Sequence, residues 1–188
     1  MIYILPTDTC YWIACSVDDI KSYNKIYKIK KRSYDKPLAV MVPDFEWLAQ
    51  NTELTLEQIT FLKNYQKPFT ILTDAMPIRV WINYVNEEDG WEEFINRANY
   101  EKIAIRVAHN NIQKRLLKET WPIFLTSANF SWEKEMYSPN EIKEKFSYYL
   151  EKWTIKFIWE NMWPLEQNPP SEIFEFDWDS LEQIFLRK

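Results

Sequence analysis

The stretch PIFLTSANFS at residues 122–131 places a short apolar run directly before a cluster of hydroxyl and amide side chains. An apolar run of this length, bounded by turn-forming and polar residues, is typical of a buried strand. Open α/β sheets bind ligands at the carboxyl ends of their strands, where small polar side chains are useful. The stretch therefore predicts a buried strand that ends in a ligand-binding site, with an ordinary turn as the alternative.

Similar apolar runs alternate with amphipathic helical patterns along the whole chain. We predict strands over residues 2–5, 10–15, 38–42, 69–73, 102–107, 123–126, 154–158, 173–176 and 183–186. We predict helices over residues 18–31, 44–50, 55–64, 112–119 and 139–152. Ser138 and Pro139 form a strong start signal for the last helix, as N-cap and first helical residue. The polar, irregular segment 75–99 predicts a hairpin or an excursion at the surface. The interleaved elements indicate an α/β domain with a mixed sheet.

Length and composition narrow the class of protein. The 188 residues fit one domain over residues 1–188, and no run approaches the 18 or more apolar residues of a membrane span. Cys10 and Cys15 lie on one apolar segment without metal-ligand spacing, so we expect buried reduced thiols and a cytoplasmic protein. The net charge of −5 argues against a broad nucleic-acid-binding surface, with a local basic groove as the alternative.

The chain holds one glycine, Gly90, and ten tryptophans. Average usage of about 7% predicts roughly thirteen glycines in a chain of this length. Trp12, Trp132 and Trp163 stand where turn-forming residues are expected. Two explanations remain open on composition alone. Either the protein is rich in tryptophan, or some of these positions are UGA codons. In that case UGA encodes glycine in the source organism and was translated as tryptophan under a different genetic code.

Two polar groups follow predicted elements near the amino terminus. Pro6-Thr7-Asp8-Thr9 ends the first strand, where hydroxyls can bind a polar ligand or close a simple turn. Lys30, Arg32 and Lys36 lie within seven residues at the end of a helix. Cations there complement the helix dipole, and they could also hold several phosphate oxygens.

Arg106 stands in a strand of otherwise apolar residues. A charge there needs a partner, which could be a ligand carboxylate or a structural salt bridge. The single histidine, His109, makes a zinc site or a nucleophile–histidine arrangement improbable, so we expect no protein-ligated metal. No phosphate-binding glycine loop is present.

Taken in order, several segments resemble those of the threonylcarbamoyl-AMP synthase (YrdC-like) family. They are PTDTCY, KIKKR followed by DKPLAVMV, KPFTILT, IAIRVAH, PIFLTSANFSW, and NPPSEIFEF followed by FLR, and the match as a whole runs from Ile2 to Arg187. The resemblance implies an open twisted mixed sheet flanked by helices, with a basic pocket on its concave face. It also implies an enzyme that joins L-threonine, bicarbonate and ATP into threonylcarbamoyl-adenylate and releases pyrophosphate, with Mg²⁺ accompanying the ATP.

A tRNA-threonylcarbamoyl transferase complex would then transfer the group to adenosine 37 of tRNA, and weak tRNA binding by this chain is possible. The resemblance assigns three sets of residues. It places threonine on Thr9, Arg106, Ser127 and Ser171. It places ATP on Arg32, Lys36, Lys102, Asn129, Ser138 and Arg187. It makes Lys30, Arg32, Ser127 and Asn129 the catalytic residues.

Two rival functions go with the same resemblance. One is a YrdC-like RNA-binding or ribosome-maturation module without catalysis. The other is a carbamoyl-transfer domain of a hydrogenase-maturation-type enzyme. The chain also departs from the family pattern at Lys36, at Met41, at Lys67 within residues 66–68, and at Glu172.

The family has glycine at four of the tryptophan positions: Trp12, Trp121, Trp132 and Trp163. Trp159 and Trp178 are further candidates with looser alignment. We predict that the coding DNA has UGA at the four positions, and UGG at all four would contradict the recoding. If tryptophan is present, Trp12 and Trp132 should project at or near the pocket, and a tryptophan held at positive φ should be strained.

Overall fold

The computed structural model describes residues 1–34, 36–75, 102–120, 122–152, 154–158 and 163–188. Within these ranges nine strands form one mixed sheet, in the order β7-β1-β2-β6-β3-β5-β4-β8-β9. The strands are β1 (Ile2–Pro6), β2 (Tyr11–Ser16), β3 (Ala39–Val42), β4 (Phe69–Thr73), β5 (Ile103–Val107), β6 (Ile123–Ser127), β7 (Ile155–Phe157), β8 (Glu172–Phe176) and β9 (Gln183–Arg187). The pairs β1–β7, β3–β5 and β4–β8 are parallel, and the other pairs are antiparallel.

Helices flank the sheet, as the predicted fold class requires. They are α1 (Ile20–Lys30), α2 (Phe45–Asn51), α3 (Leu56–Lys63), α4 (Asn111–Thr120), α5 (Pro139–Lys145) and α6 (Ser147–Glu151). Ser138 caps α5 in a capping box with Glu141, which confirms the predicted start. The predicted helix over 139–152 is two helices, because Phe146 leaves helical geometry where its ring is fully buried. Apart from Ala75, the predicted excursion over 75–99 lies outside the described residues.

Strands β1, β2, β3 and β6 are buried on both faces, and alternate residues of each strand serve different faces. In β2, Ile13 and Cys15 belong to the larger core cluster, whereas Trp12 and Ala14 belong to a smaller cluster on the opposite face. Both cysteines are free and buried, as expected. Burial raises the pKa of the Cys10 thiol to about 11. Of the helices described, none is long and apolar enough to cross a bilayer.

Backbone strain occurs at Trp178, one of the two candidate positions with looser alignment. Trp178 has φ 49° in the turn between β8 and β9, and its side chain is 90% exposed. Among the described non-glycine residues only Lys31 shares a positive φ, so Trp12, Trp132 and Trp163 carry no strain of this kind. Trp121 and Trp159 lie outside the described ranges.

Replacement of Trp178 by glycine should stabilise the fold. Left-handed geometry costs a residue with a Cβ about 1–2 kcal/mol, which glycine avoids. We therefore expect Trp178→Gly to have a free energy of unfolding about 1 kcal/mol above that of Trp178→Ala, measured by urea denaturation. Trp178→Ala is the matched control, since it removes the exposed ring but keeps the Cβ. Equal stability of the two variants would show that the turn is not strained.

Two departures from the family pattern contact each other at the start of β8. The Lys67 ammonium donates to Glu172 Oε1 over 2.6 Å, and the Tyr65 hydroxyl donates to Glu172 Oε2. These hydrogen bonds hold the pKa of Glu172 below its usual range, and the bond from Lys67 has the largest effect. Burial, and then the Glu172 carboxylate, raise the pKa of Tyr65 to about 12.

The Glu172 carboxylate should make stability depend on pH in the acid range. Because its pKa is lowered in the folded state, its contribution is present above about pH 4.5 and is lost as pH falls through the folded pKa. We expect the difference in unfolding free energy between the unmodified protein and Glu172→Gln to shrink from pH 6 to pH 3. A difference that stays constant over this range would contradict the assignment.

Candidate active site

A cavity of about 210 Å³ lies over the centre of the sheet, on the face that carries Trp12. It is lined by side chains from the loop before β2, from several strands and from the loops after α1 and β6. Five predicted site residues meet in it: Thr9, Arg32, Ser127, Ser171 and Arg187. Pockets for small ligands are usually about 300–1,000 Å³, so this cavity is small for a nucleotide together with an amino acid.

Trp12 occupies the part of the cavity next to two predicted threonine-binding residues. Its indole Nε1 donates to Thr9 Oγ1 over 3.1 Å. The Arg106 guanidinium carbon lies 4.8 Å from the centre of the indole ring, in a cation–π contact. Only 8% of Trp12 is exposed. The indole therefore covers the groups that would contact a bound amino acid.

Of the two terminal nitrogens of the Arg106 guanidinium, one has a hydrogen-bond partner and the other has none within the described residues. Its Nη2 donates to the Asp8 carboxylate, so the structural salt bridge is present. Its Nη1 is buried and has no hydrogen-bond partner within the described residues, and Arg106 as a whole is 2% exposed. Burial lowers the pKa of Arg106 despite the opposing charge of Asp8. A buried guanidinium N–H without an acceptor is costly, and a ligand carboxylate is the acceptor that suits it.

The predicted residue Ser171 is held in a network with Arg187. The guanidinium of Arg187 donates to Ser171 O through Nε and Nη2, at 2.9 and 2.7 Å, and Nη2 lies 3.1 Å from Ser171 Oγ. Thr70 Oγ1 lies 3.0 Å from the same hydroxyl. Strand β9 thereby places a cation at the wall of the cavity next to the serine that precedes β8.

Arg32 organises the loop that follows α1. Its Nε donates to Lys36 O over 2.8 Å and its Nη2 donates to Pro37 O over 3.1 Å. These bonds fix the guanidinium against its own loop while the side chain still lines the cavity. Lys36 itself is exposed, and its side chain does not belong to the cavity wall.

Lys30 and Asn129 lie behind the cavity wall. The Lys30 ammonium, 1% exposed, donates to the carbonyl oxygens of Ser127 and Asn129 and to Asn129 Oδ1. Neither side chain is part of the lining. The structure thus brings these two predicted catalytic residues together, next to Ser127 but withdrawn from the cavity.

Lys102 and Ser138 are occupied elsewhere. Lys102 pairs with Glu175 over 2.5 Å and lines a separate cavity of about 520 Å³ at the other end of β5. The Ser138 hydroxyl accepts from Glu141 N as the cap of α5, and the neighbouring Tyr137 lines the site instead. The structure does not bring Lys36, Lys102 or Ser138 together with the five residues of the cavity.

The cavity also contains residues that we did not predict as site residues. These are Cys10, Thr70, Glu135, Tyr137 and Asn168. Thr70 and Asn168 belong to the segments KPFTILT and NPPSEIFEF, so their motif membership was a usable signal. Asn168 Nδ2 donates to Asp8 O over 3.0 Å. No sequence feature indicated Glu135 as a site residue, because it lies in an irregular polar loop outside the quoted segments.

Of the other candidate recoded positions, the described ones, Trp132, Trp163 and Trp178, do not line the cavity. Trp132 is 64% exposed, and the Lys31 ammonium sits 5.4 Å from the centre of its ring. The Trp163 carbonyl accepts from the Tyr11 hydroxyl over 2.6 Å. Of the two tryptophans expected at or near the pocket, only Trp12 lines it.

No group of three or more histidine, cysteine, aspartate or glutamate side chains forms a metal site within the described ranges. His109 Nδ1 is 4.0 Å from Asp8 Oδ1, and burial lowers the pKa of this histidine. Glu135 contributes a carboxylate to the cavity wall.

Comparison with solved structures shows the same fold. E. coli YciO is 20% identical, with a TM-score of 0.68 over 100% of this chain and 82% of that one. P. abyssi Sua5 complexed with L-threonine is 19% identical, with a TM-score of 0.70 over 99% of this chain and 49% of that one. Full-length HypF in a phosphate- and nucleotide-bound form is 19% identical, with a TM-score of 0.68 over 99% of this chain and 26% of that one.

This chain therefore spans about half the length of the Sua5 structure and about a quarter of HypF. The family model for Sua5, YciO and YrdC, described as "Telomere recombination", matches residues 1–182. This match confirms the resemblance drawn from the ordered segments. The chain belongs to the Sua5/YciO/YrdC family.

Proposed function

We propose that this chain is an L-threonylcarbamoyladenylate synthase, a nucleotidyltransferase that acts on ATP, L-threonine and bicarbonate. The observation that carries the proposal is the meeting of three predicted hydroxyls and two guanidinium groups in one cavity. Arg106 is not itself part of the lining, but its guanidinium, with the unpartnered Nη1, lies over the Trp12 ring in the cavity wall. Guanidinium groups suit carboxylate and phosphate oxygens, and the hydroxyls suit the polar atoms of threonine. The likeness to Sua5 complexed with L-threonine and to nucleotide-bound HypF supports the same ligand classes.

The proposed reaction has two bond-forming steps. The threonine amine and bicarbonate condense to a carbamate with loss of water. A carbamate oxygen then attacks the α-phosphorus of ATP, the bond to the bridging oxygen breaks, and pyrophosphate leaves. Positioned cations are the main help that such a step needs, and Arg32 and Arg187 are cations that line the cavity.

Mg²⁺ would arrive with the ATP and stabilise the charge on the phosphate oxygens. Protein sites for Mg²⁺ with a nucleotide commonly use one or two carboxylates together with phosphate oxygens. Glu135 fits the part of such a carboxylate, because it shares the cavity wall with Arg32 and Arg187. The assignments of Lys36, Lys102 and Ser138 to ATP remain predictions.

In this proposal the product passes to a tRNA-threonylcarbamoyl transferase complex in the cytoplasm. The main alternative is a YrdC-like RNA-binding or ribosome-maturation module without catalysis. A second alternative is that the chain transfers a carbamoyl group, and the likeness to HypF favours this function.

The functions are separated by an omission experiment on a variant with glycine at positions 12, 121, 132 and 163. We expect pyrophosphate release that requires threonine, bicarbonate and ATP together. Salt-sensitive RNA binding without turnover would favour the RNA-binding module. Release that needs carbamoyl phosphate instead of threonine and bicarbonate would favour carbamoyl transfer.

A further inference from the structure

The ammonium of Lys30 is enclosed by hydrogen-bond acceptors from the last residue of β6 and from the loop that follows it. Lys30 Nζ lies 2.5 Å from Ser127 O, 2.5 Å from Asn129 O and 3.1 Å from Asn129 Oδ1. An ammonium has three N–H donors, so these three acceptors use its full capacity. Burial, and secondly the charge of Arg32, lower the pKa of Lys30 to about 7, as expected for an amine withdrawn from water.

The Asn129 side chain is equally engaged within the protein. Its Oδ1 accepts from Ser127 Oγ over 2.6 Å as well as from Lys30, and its Nδ2 donates to Glu133 O over 2.6 Å. Residue 131 adds two bonds, because Ser131 N and Ser131 Oγ both donate to Lys30 O. The end of α1 and the loop over residues 127–133 are therefore tied together by side-chain and backbone bonds.

Lys30 and Asn129 differ from Arg32 and Ser127, each two residues away in sequence, in their position relative to the cavity. Arg32 and Ser127 line the cavity, whereas Lys30 and Asn129 do not. We propose that Lys30 and Asn129 are positioning residues, which hold the loop after β6 so that Ser127 faces the ligand, and that Arg32 and Ser127 make the contacts. The proposal depends on the proposed function only for the identity of the ligand.

The arrangement also determines what Ser127 can offer. Its hydroxyl hydrogen is donated to Asn129 Oδ1, so its oxygen faces a ligand as an acceptor. An acceptor suits the amine or the hydroxyl of an amino acid, whereas phosphate oxygens need donors. The bonds of Lys30 and Asn129 thus direct Ser127 toward the threonine part of the ligand.

Chemical labelling of the unmodified protein tests whether Lys30 is withdrawn. Lys28, less buried on the same helix, is the internal control. Under limited acetylation followed by mass spectrometry, we expect Lys30 to react at least about tenfold more slowly than Lys28, with or without ATP, because its reaction requires local opening. Reaction at the rate of Lys28, with protection by ATP, would show that Lys30 contacts the nucleotide and would overturn the proposal.

A variant tests whether Lys30 acts through the loop. We expect Lys30→Met to speed hydrogen–deuterium exchange over residues 127–133 in the ligand-free protein, while Lys28→Met leaves it unchanged. Unchanged exchange in a folded Lys30→Met protein would contradict the proposal. If this variant does not fold, the labelling experiment still decides. Neither experiment uses turnover, so their failure is distinct from failure of the proposed function.

A thermodynamic cycle separates positioning from a general loss of stability. In a Trp12→Gly background, we expect Lys30→Met and Ser127→Ala each to weaken threonine binding, and the double variant to be no weaker than Ser127→Ala. Calorimetric titration with threonine gives the affinities. Additive losses would show that Lys30 acts independently of Ser127.

Discussion

Trp12→Gly should raise the affinity of the protein for L-threonine by at least about 30-fold. In the unmodified protein a ligand must displace the indole from Thr9 Oγ1 and from the face of Arg106. One hydrogen bond and one buried cation–π contact are together worth about 2–3 kcal/mol, and each 1.4 kcal/mol is about tenfold in affinity. Isothermal titration with threonine in the presence of ATP measures the change.

Matched variants define what the titration shows. Trp132→Gly is the first control, because Trp132 is exposed and outside the cavity, and it should leave the affinity unchanged. Trp12→Phe should remain weak, since it loses the donor but keeps a ring over Arg106. Removal of the buried indole costs stability of about 3 kcal/mol or more, so unfolding is measured in parallel. A folded Trp12→Gly protein without improved affinity would show that Trp12 does not cover the threonine site.

Arg106→Met in the Trp12→Gly background should weaken threonine binding by about 10- to 100-fold. A hydrogen bond to a charged group contributes about 1.5–3 kcal/mol, and the unpartnered Nη1 of Arg106 is the group available for the threonine carboxylate. Threoninol, which lacks the carboxylate, should bind with equal affinity whether arginine or methionine stands at position 106. Equal loss of affinity for both ligands would mean that Arg106 acts through the fold, for instance through its pair with Asp8.

The sequence predicted the elements of the fold because apolar periodicity is a local property. PIFLTSANFS forms β6 and its polar end, and Ser127 reaches the cavity as expected. Thr9 and Ser171 reach it too, although they come from loops far apart in sequence. Their meeting depends on strand order, which places β2 beside β6 and β4 beside β8. Only the family resemblance gave information about that order.

The features of the site that the sequence did not predict depend on side-chain packing. Lys102 immediately precedes β5 and stands four residues before Arg106. Because a strand rises about 3.3 Å per residue, Lys102 lies at the other end of β5 from Arg106, where it pairs with Glu175. The Trp12 side chain is oriented by its contacts with Thr9 and Arg106, and these contacts could not be predicted from the sequence. The withdrawal of Lys30 from the cavity likewise follows from acceptors nearly one hundred residues later, as the separations of 97 and 99 show.

We propose that this cavity makes threonylcarbamoyl-adenylate when glycine stands at the four tryptophan positions. The most direct test supplies ¹³C-bicarbonate, threonine and Mg-ATP to the variant with glycine at positions 12, 121, 132 and 163, and follows the products by mass spectrometry. We predict an adenylate that carries both threonine and one ¹³C atom, with far less product from the tryptophan form. A folded glycine variant that binds ATP and threonine but yields no such adenylate would contradict the claim.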